Sequence, residues 1–487
     1  MFEKIQNTLI DFITTGHDFV IKTAALALGA LNAGGIMEKK ISEDSMVLKK
    51  LIELTEPKYE EKDELLSVFA TIGLGFIFSS KFKEIIDVKK YGLEYDSAKR
   101  TNQEAIAIIA GLGSLSNSEQ IINKAMSQKG DEYNWGATVG ACLYMLETGK
   151  VPYKEITKDL DELINHDYYD VASNALICYG FTPLDESQAQ RSIEKVEPII
   201  DFEQPYEKRI ASILSSTLMS ANLTDEVQAM KNSHKYSDAG LWAVLAMYAC
   251  YPLYVIPKKE NLTDEEFSNY PFVANLPPES IYEEIGLDLG VSMLSSIAAE
   301  DLKDFIFRNH SEIVEPHDEG PADTNFAYLA NKGLITPFKE NPKEEFIKLL
   351  KEEYSPILEA LHQPKEKVDK ESAPVIDTSW NLSRLKIGAT LGIGWGIYTL
   401  RKLSKSDDEI LELAFQLLEK AIQSNEILVQ TTAIISMLAI AAKSDMFRKF
   451  LLVHSLFEFE YSDYTYFKVV YLIHTIYLIL CNKFNRL

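Results

Sequence analysis

His310 and His317, followed by Asp318 and Glu319, form the cluster whose residue types could hold a metal ion. The two histidines lack the i,i+4 spacing that puts zinc ligands on one helix face, so a solvated acidic loop accounts for them. Asp264, Glu265 and Glu266 set carboxylates side by side, as acid–base work requires, but in a loop with nothing to raise a pKa. Asp170 and Asp238 are the carboxylates that an enzyme built on an α/α toroid could use, and neither has an assignable partner. The glycines of GIGWGIY (Gly392, Gly394, Gly396) miss the GxGxxG spacing and follow no strand. Gly149-Lys150 lacks the rest of a phosphate loop, and there is no HExxH, CxxC pair or GxSxG. Four cysteines, Cys142, Cys178, Cys250 and Cys481, stand far apart, the first three in apolar runs. They read as buried, reduced thiols. Trp135, Trp242, Trp380 and Trp395 lie in or beside apolar runs and read as core. The expectation is a protein that is not an enzyme, with no cofactor and no metal.

Residues with no chemistry of their own carry more information. TAALALGALNAGG from Thr23, VFATIGLGFIFSS from Val68 and EAIAIIAGLGSLS from Glu104 are variants of one phrase, small and apolar around a glycine. WGATVGACLYMLETGK and VASNALICYG continue it. Aligned on Gly29, Gly75, Gly111, Cys142 and Cys178, the runs step by 46, 36, 31 and 36 residues. Steps in the thirties fit a helix–turn–helix unit repeated as a solenoid. A sixth run starts at Arg209 and a seventh at Ala239.

Each unit has two unlike halves. The small-residue half is apolar almost all round, which marks a helix buried on every side. Glycine costs a helix about 0.8–1 kcal/mol relative to alanine, so Gly29, Gly34, Gly73, Gly75, Gly111, Gly113, Gly388 and Gly392, with Cys142 and Cys178, are expected to gain it back in close packing. The second half is amphipathic. In SEQIINKAMSQK, Ile121, Ile122, Ala125 and Met126 share one face, and Glu119, Asn123, Lys124 and Ser127 the other. The fold class expected is all-α, a helix–turn–helix repeat solenoid forming a closed or strongly curved toroid (α/α superhelix).

The rhythm divides the chain into a repeat solenoid over 1–256, a Pro- and acid-rich linker over 257–282, and a helical region with an acidic loop over 283–362. A flexible linker over 363–379, further repeats over 380–445 and a C-terminal cap over 446–487 complete it. The last thirty residues (FEFEYSDYTYFKVVYLIHTIYLIL) are aromatic and β-branched and fit either a capping helix or a strand pair. The formal net charge is -24, from 49 basic and 73 acidic residues, which argues against nucleic acid. Solubility alone accounts for such a surface; a preference for basic partners is the functional alternative. The opening MFEKIQNTLIDF is an amphipathic segment rather than a signal peptide. Uncharged stretches at Leu241–Ile256 and Val469–Leu480 fall short of the roughly 20 residues a spanning helix needs.

IKTAALALGALNAGG followed by VFATIGLGFIFSS resembles consecutive proteasome/cyclosome repeats, whose inner helix is rich in alanine and glycine with an outer helix behind it. The likeness covers roughly residues 5–255, and RLKIGATLGIGWGIYTL from Arg384 resembles a ring-closing repeat. Such repeats occur in the two large non-ATPase scaffold subunits of the proteasome regulatory particle. The nearer likeness is to the subunit with docking sites for ubiquitin and shuttle receptors. The resemblance implies a non-enzymatic scaffold, cytoplasmic and nuclear. Its implied partners are proteasomal ATPase subunits, other regulatory-particle subunits, and ubiquitin or ubiquitin-like proteins, with no nucleic acid and no membrane. In the family, acidic residues on the third unit's outer helix bind ubiquitin-like folds. The nearest positions here, Ser116, Asn123 and Ser127, are not acidic, while Glu119, Asp131 and Glu132 stand off register. The family's long N-terminal helical region and its β-rich closing module have no recognisable counterpart. A HEAT- or armadillo-like adaptor for basic partners is the alternative, although HEAT inner helices favour Leu, Val, Pro and charged patterns over Gly and Ala.

Overall fold

A computed structural model describes residues 1–34, 45–55, 64–78, 100–113, 117–128, 131–167, 169–200, 206–220, 341–360 and 378–457. Shorter stretches within 329–338 and the single positions Ser42, Tyr471 and Thr475 are described as well. The readings made above for 221–328 and 361–377 lie outside these residues. Among the described residues the regular structure is helical throughout, and the fold is an all-α array of helical hairpins. No described helix is long and apolar enough to cross a membrane. The chain divides into two compact units, one of Gln6–Met247 with Asp445–Ile479, the other of Tyr248–Ser444 with both chain ends.

Helix α1 (Phe2–Thr15), which from Gln6 on belongs to the first unit, buries Ile5, Leu9 and Ile13 on one stripe. The small-residue runs become α2 (Asp18–Leu31), α4 (Glu64–Phe78), α5 (Arg100–Gly111), α7 (Asp131–Thr148), α9 (Tyr169–Gly180) and α11 (Tyr206–Ser220). Each packs on the next, forming one continuous inner row. The amphipathic halves become α3 (Met46–Thr55), α6 (Ser118–Met126), α8 (Ile156–Leu163) and α10 (Glu186–Val196), lying against that row as an outer layer. On α6, Ile121, Ile122, Ala125 and Met126 are buried, as the periodicity predicts.

The row is set by glycines that admit neighbouring backbone. A methyl group on Gly29 would overlap the backbone of Gly73, and one on Gly111 the backbone of Gly140. Gly73 faces Ala25 and Gly75 faces Ile109, so the two glycines of α4 serve opposite neighbours. Aligning runs on Gly75 therefore misplaces the α2–α4 contact by two residues. Gly140, which the sequence reading left out of its packing positions, is the partner of Gly111. Cys142 and Cys178 continue the row, fully buried on α7 and α9.

Two glycines read as packing residues also end helices. Gly34 and Gly113 have φ of 72° and 74° and stand just beyond the ends of α2 and α5. Left-handed backbone costs any residue with a Cβ, so both end helices, and Gly34 also contacts α4. Gly113 has nothing within 4 Å of where a Cβ would stand, and Gly34 donates its N–H to the Phe76 carbonyl at 3.3 Å.

The second unit repeats the arrangement. A helical turn containing Leu329 and Gly333 precedes α12 (Pro342–Lys348), a π-helical stretch (Leu349–Tyr354) and α13 (Ser355–Glu359). Then follow α14 (Thr378–Lys402), α15 (Asp408–Ile422) and α16 (Ile427–Ala441). Helix α14 begins at Thr378, inside the stretch assigned to the linker. Gly392 meets the Leu329 carbonyl, and Gly394 meets Ser436 of α16. Gly388 is buried on the same helix. Between α14 and α16 the Thr390 and Thr432 hydroxyls bond at 2.7 Å, and Ser436 donates to the Thr390 carbonyl at 2.6 Å. Asp407 caps α15 by accepting the Ile410 N–H at 3.1 Å. Arg401 donates to the carbonyls of Ala439 at 2.5 Å and Ala442 at 2.9 Å, satisfying the end of α16.

The stretch expected to cap the chain opens with a helix, α17 (Ser444–Phe457), while the aromatic run read as a helix or a strand pair lies, but for its first residue and the single positions Tyr471 and Thr475, outside the described residues. Phe447, Phe450, Leu451, Leu452 and Val453 are all fully buried. Lys449, also buried, pairs with Glu147 at the end of α7 at 2.7 Å. The His454 ring stacks on Phe450 and meets Tyr471 edge-on, and its Nε2 lies 3.0 Å from the Thr23 hydroxyl of α2. Burial holds the His454 pKa down at about 3. Helix α17 thus touches the first inner helix and the fourth, 431 residues of chain being spanned by the Thr23–His454 contact.

Candidate docking surface

In a two-layer array the outer helices hold the uncovered polar faces, so the candidate surface is what α6, α8 and α10 leave exposed. Helix α6 can show only one face, because its apolar stripe is spent on α5 and α7. The uncovered face carries Asn117, Glu119, Gln120, Asn123, Lys124 and Ser127, all exposed.

These residues are less available than the sequence implies. Glu119 accepts a 2.5 Å hydrogen bond from the Tyr144 hydroxyl of α7. Burial first, then the bond and the carboxylate charge, push the Tyr144 pKa up to about 12, so the phenol stays a donor. Glu119 therefore ties the outer helix to the inner one with one of its oxygens. Ser127 turns back on its own helix and donates to the Lys124 carbonyl at 2.8 Å, which helps close the end of α6. Asn123 remains as an outward amide. Asp131 and Glu132 belong to the first turn of α7, and their side chains lie outside the described residues. The arrangement is a largely uncharged polar ridge.

The tie between layers recurs one hairpin later. The buried Tyr179 of α9 shares a 3.0 Å hydroxyl hydrogen bond with Ser192 of α10, and burial raises its pKa. Asp161 of α8 lies beside it and pairs with Lys195 of α10 at 2.5 Å. Helices α8 and α10 consequently show both signs of charge: Lys158, Glu162, Arg191, Glu194 and Lys195 are exposed. The sequence reading missed these tyrosines. Their signal was present, since Tyr144 follows Cys142 by two residues and Tyr179 follows Cys178 by one.

Of the residues weighed for chemistry, Asp238, the acidic run at Asp264 and the His310–Glu319 cluster lie outside the described residues, as does the side chain of Asp170. Among the described residues no three His, Cys, Asp or Glu side chains gather to hold a metal ion. Trp395 is fully buried, as expected of core, and Trp135 is half-buried. No protein-family model and no curated protein matches this chain.

Proposed function

We propose that this chain is a non-enzymatic scaffold of the proteasome regulatory particle, built from proteasome/cyclosome-type repeats. The observation that supports it best is the inner row. Helix pairs approach until glycine admits neighbouring backbone, at Gly29–Gly73, Gly111–Gly140 and Gly333–Gly392. That is the packing expected of Gly/Ala inner helices and not of HEAT or armadillo inner helices built on larger side chains. In this reading the inner row is a stiff spine, and the outer helices receive ATPase-ring subunits, other regulatory-particle subunits, and shuttle or deubiquitinase partners.

The ridge on α6 bears on how partners would be held. With Glu119 committed to Tyr144 and neutral side chains at Asn123 and Ser127, α6 is a poor acidic site for a basic ubiquitin-like face. Docking of the ATPase ring is therefore the primary role proposed, with ubiquitin binding secondary.

Affinity purification of the full chain from native lysate, with mass spectrometry of what stays bound, is the test. Stoichiometric recovery of proteasomal ATPase subunits is the expected result. Recovery of nuclear-transport or phosphatase subunits without any proteasomal subunit would overturn the proposal. It would favour an adaptor for basic partners, for which the net charge of -24 is suited.

A further inference from the structure

Between α12 and α13 the chain of the second unit stays helical, but Leu349–Tyr354 is wound as a π-helix. Such turns are rare, occur mostly as single interruptions of α-helices, and often mark functional sites. Contacts on two sides hold this one in place. Phe346 and Tyr354, both fully buried, fill the room left by two glycines of α14. A methyl group on Gly396 would overlap the Phe346 ring, and one on Gly392 the Tyr354 hydroxyl. That hydroxyl donates to the Leu329 carbonyl at 2.6 Å. Toward α15, Lys343 pairs with its cap Asp407 at 3.1 Å, and Glu359 pairs with Lys420 near its other end.

An unbroken α-helix does not bring these four side chains to their partners together. At 3.6 residues per turn, Phe346 and Tyr354, eight apart, would point about 80° from each other. Lys343 and Glu359, sixteen apart, would point about 160° from each other. Yet Gly392 and Gly396, four apart, lie on one stripe of α14, and Asp407 and Lys420 belong to one helix with its cap. With one residue fewer the spacings become seven and fifteen, and the angles fall to about 20° and about 60°. The segment therefore holds one residue more than the register of its ends requires, and the wide turn absorbs it.

We propose that Leu349–Tyr354 is a hinge between α12 and α13, a one-residue slack turn that opens ahead of the α-helices around it. Lys351 and Glu352 are exposed, so the slack lies on the solvent side. Tyr354 fixes the inward side, and Glu353 is gripped by Lys332 through both carboxylate oxygens, at 2.6 and 2.7 Å. Opening is thus confined to a short stretch between firm anchors, which is the form a local, low-energy opening takes.

Hydrogen exchange of the full chain, read by mass spectrometry on short overlapping peptides, tests the hinge. Amides of Leu349–Tyr354 should exchange several-fold faster than those of α15 and α16. Deleting Lys351 should slow them to the rate of α15 without lowering the urea midpoint, because the shortened segment keeps its anchors as a plain α-helix. Tyr354→Phe, which removes the hydroxyl anchor, should speed them further. Exchange in the unaltered chain as slow as in α15 overturns the proposal. A folded deletion variant that exchanges as fast as its parent, or unfolds at lower urea, overturns it too. Where the deletion does not fold, the unaltered chain and Tyr354→Phe decide.

Discussion

Replacing Gly140 by alanine sets two effects of opposite sign against each other. Position 140 is in the interior of α7, where helix propensity alone favours alanine by about 0.8–1 kcal/mol. The added Cβ, however, would stand 2.6 Å from the Ala107 carbonyl carbon and 3.2 Å from the Ile108 nitrogen of α5. Carbon atoms in contact sit at about 3.5–4.0 Å, so α5 and α7 must part by about an ångström. The obstacle is backbone, so no rotamer change relieves it. A gap of 0.5–1 Å forfeits roughly a quarter to a half of each contact's attraction. Here it would fall on the face of α5 that carries Ala107, Ile108 and Gly111, where Ala107 and Ile108 are fully buried. Overpacking of this kind costs about 1–3 kcal/mol, and with backbone as the obstacle the upper part of that range applies. After subtracting the propensity gain, Gly140→Ala should lose on the order of 1–2 kcal/mol. Urea unfolding followed by circular dichroism measures it. A variant whose midpoint rises would show that α5 and α7 do not touch at this point, and the inner row would have to be redrawn.

Gly113→Ala provides the contrast, since open space surrounds that position but φ is 74°. It should lose about 1–2 kcal/mol from backbone strain alone, and Gly113→Asn should recover part of it; equal midpoints for all three proteins would contradict the left-handed turn. His454 stays neutral when folded down to about pH 3, while the unfolded chain protonates near pH 6.5. Between those values the unfolded state binds more protons, so this contribution is complete above about pH 6.5 and is lost as pH falls toward 3, by about 2 kcal/mol at pH 5. His454→Gln should flatten the stability-versus-pH curve between pH 7 and 5, and parallel curves would count against a buried neutral imidazole. Tyr144→Phe should cost about 1 kcal/mol, with Glu119→Gln partly redundant to it in a double-mutant cycle; additive losses would mean the two residues are not joined.

The two-layer fold was readable because its signal is local. Small residues recurring in steps of 31 to 46, each followed by an amphipathic stretch, place a buried helix beside a half-exposed one. The role of each glycine was less readable. A glycine that admits a neighbouring backbone and one that ends a helix follow the same apolar run, which is why Gly34 and Gly113 were grouped with Gly29. Gly73 and Gly75 share one helix but face different neighbours, and one-dimensional alignment cannot tell which is which. The polar face of α6 was readable as a face but not as chemistry, because Glu119 looks free until Tyr144 is placed above it. The Thr23–His454 contact had no local signal at all: periodicity carries no information about partners 431 residues apart.

That last contact has a consequence for how the protein is made. Chains are synthesised at about 5–20 residues per second. Helix α2 therefore leaves the ribosome roughly 20–90 seconds before the residues of α17 that will cover Thr23 exist. Throughout that interval the early hairpins can stack on one another but cannot complete the surface that α17 buries. A chain that stops short of His454 leaves the surface around Thr23 uncovered permanently.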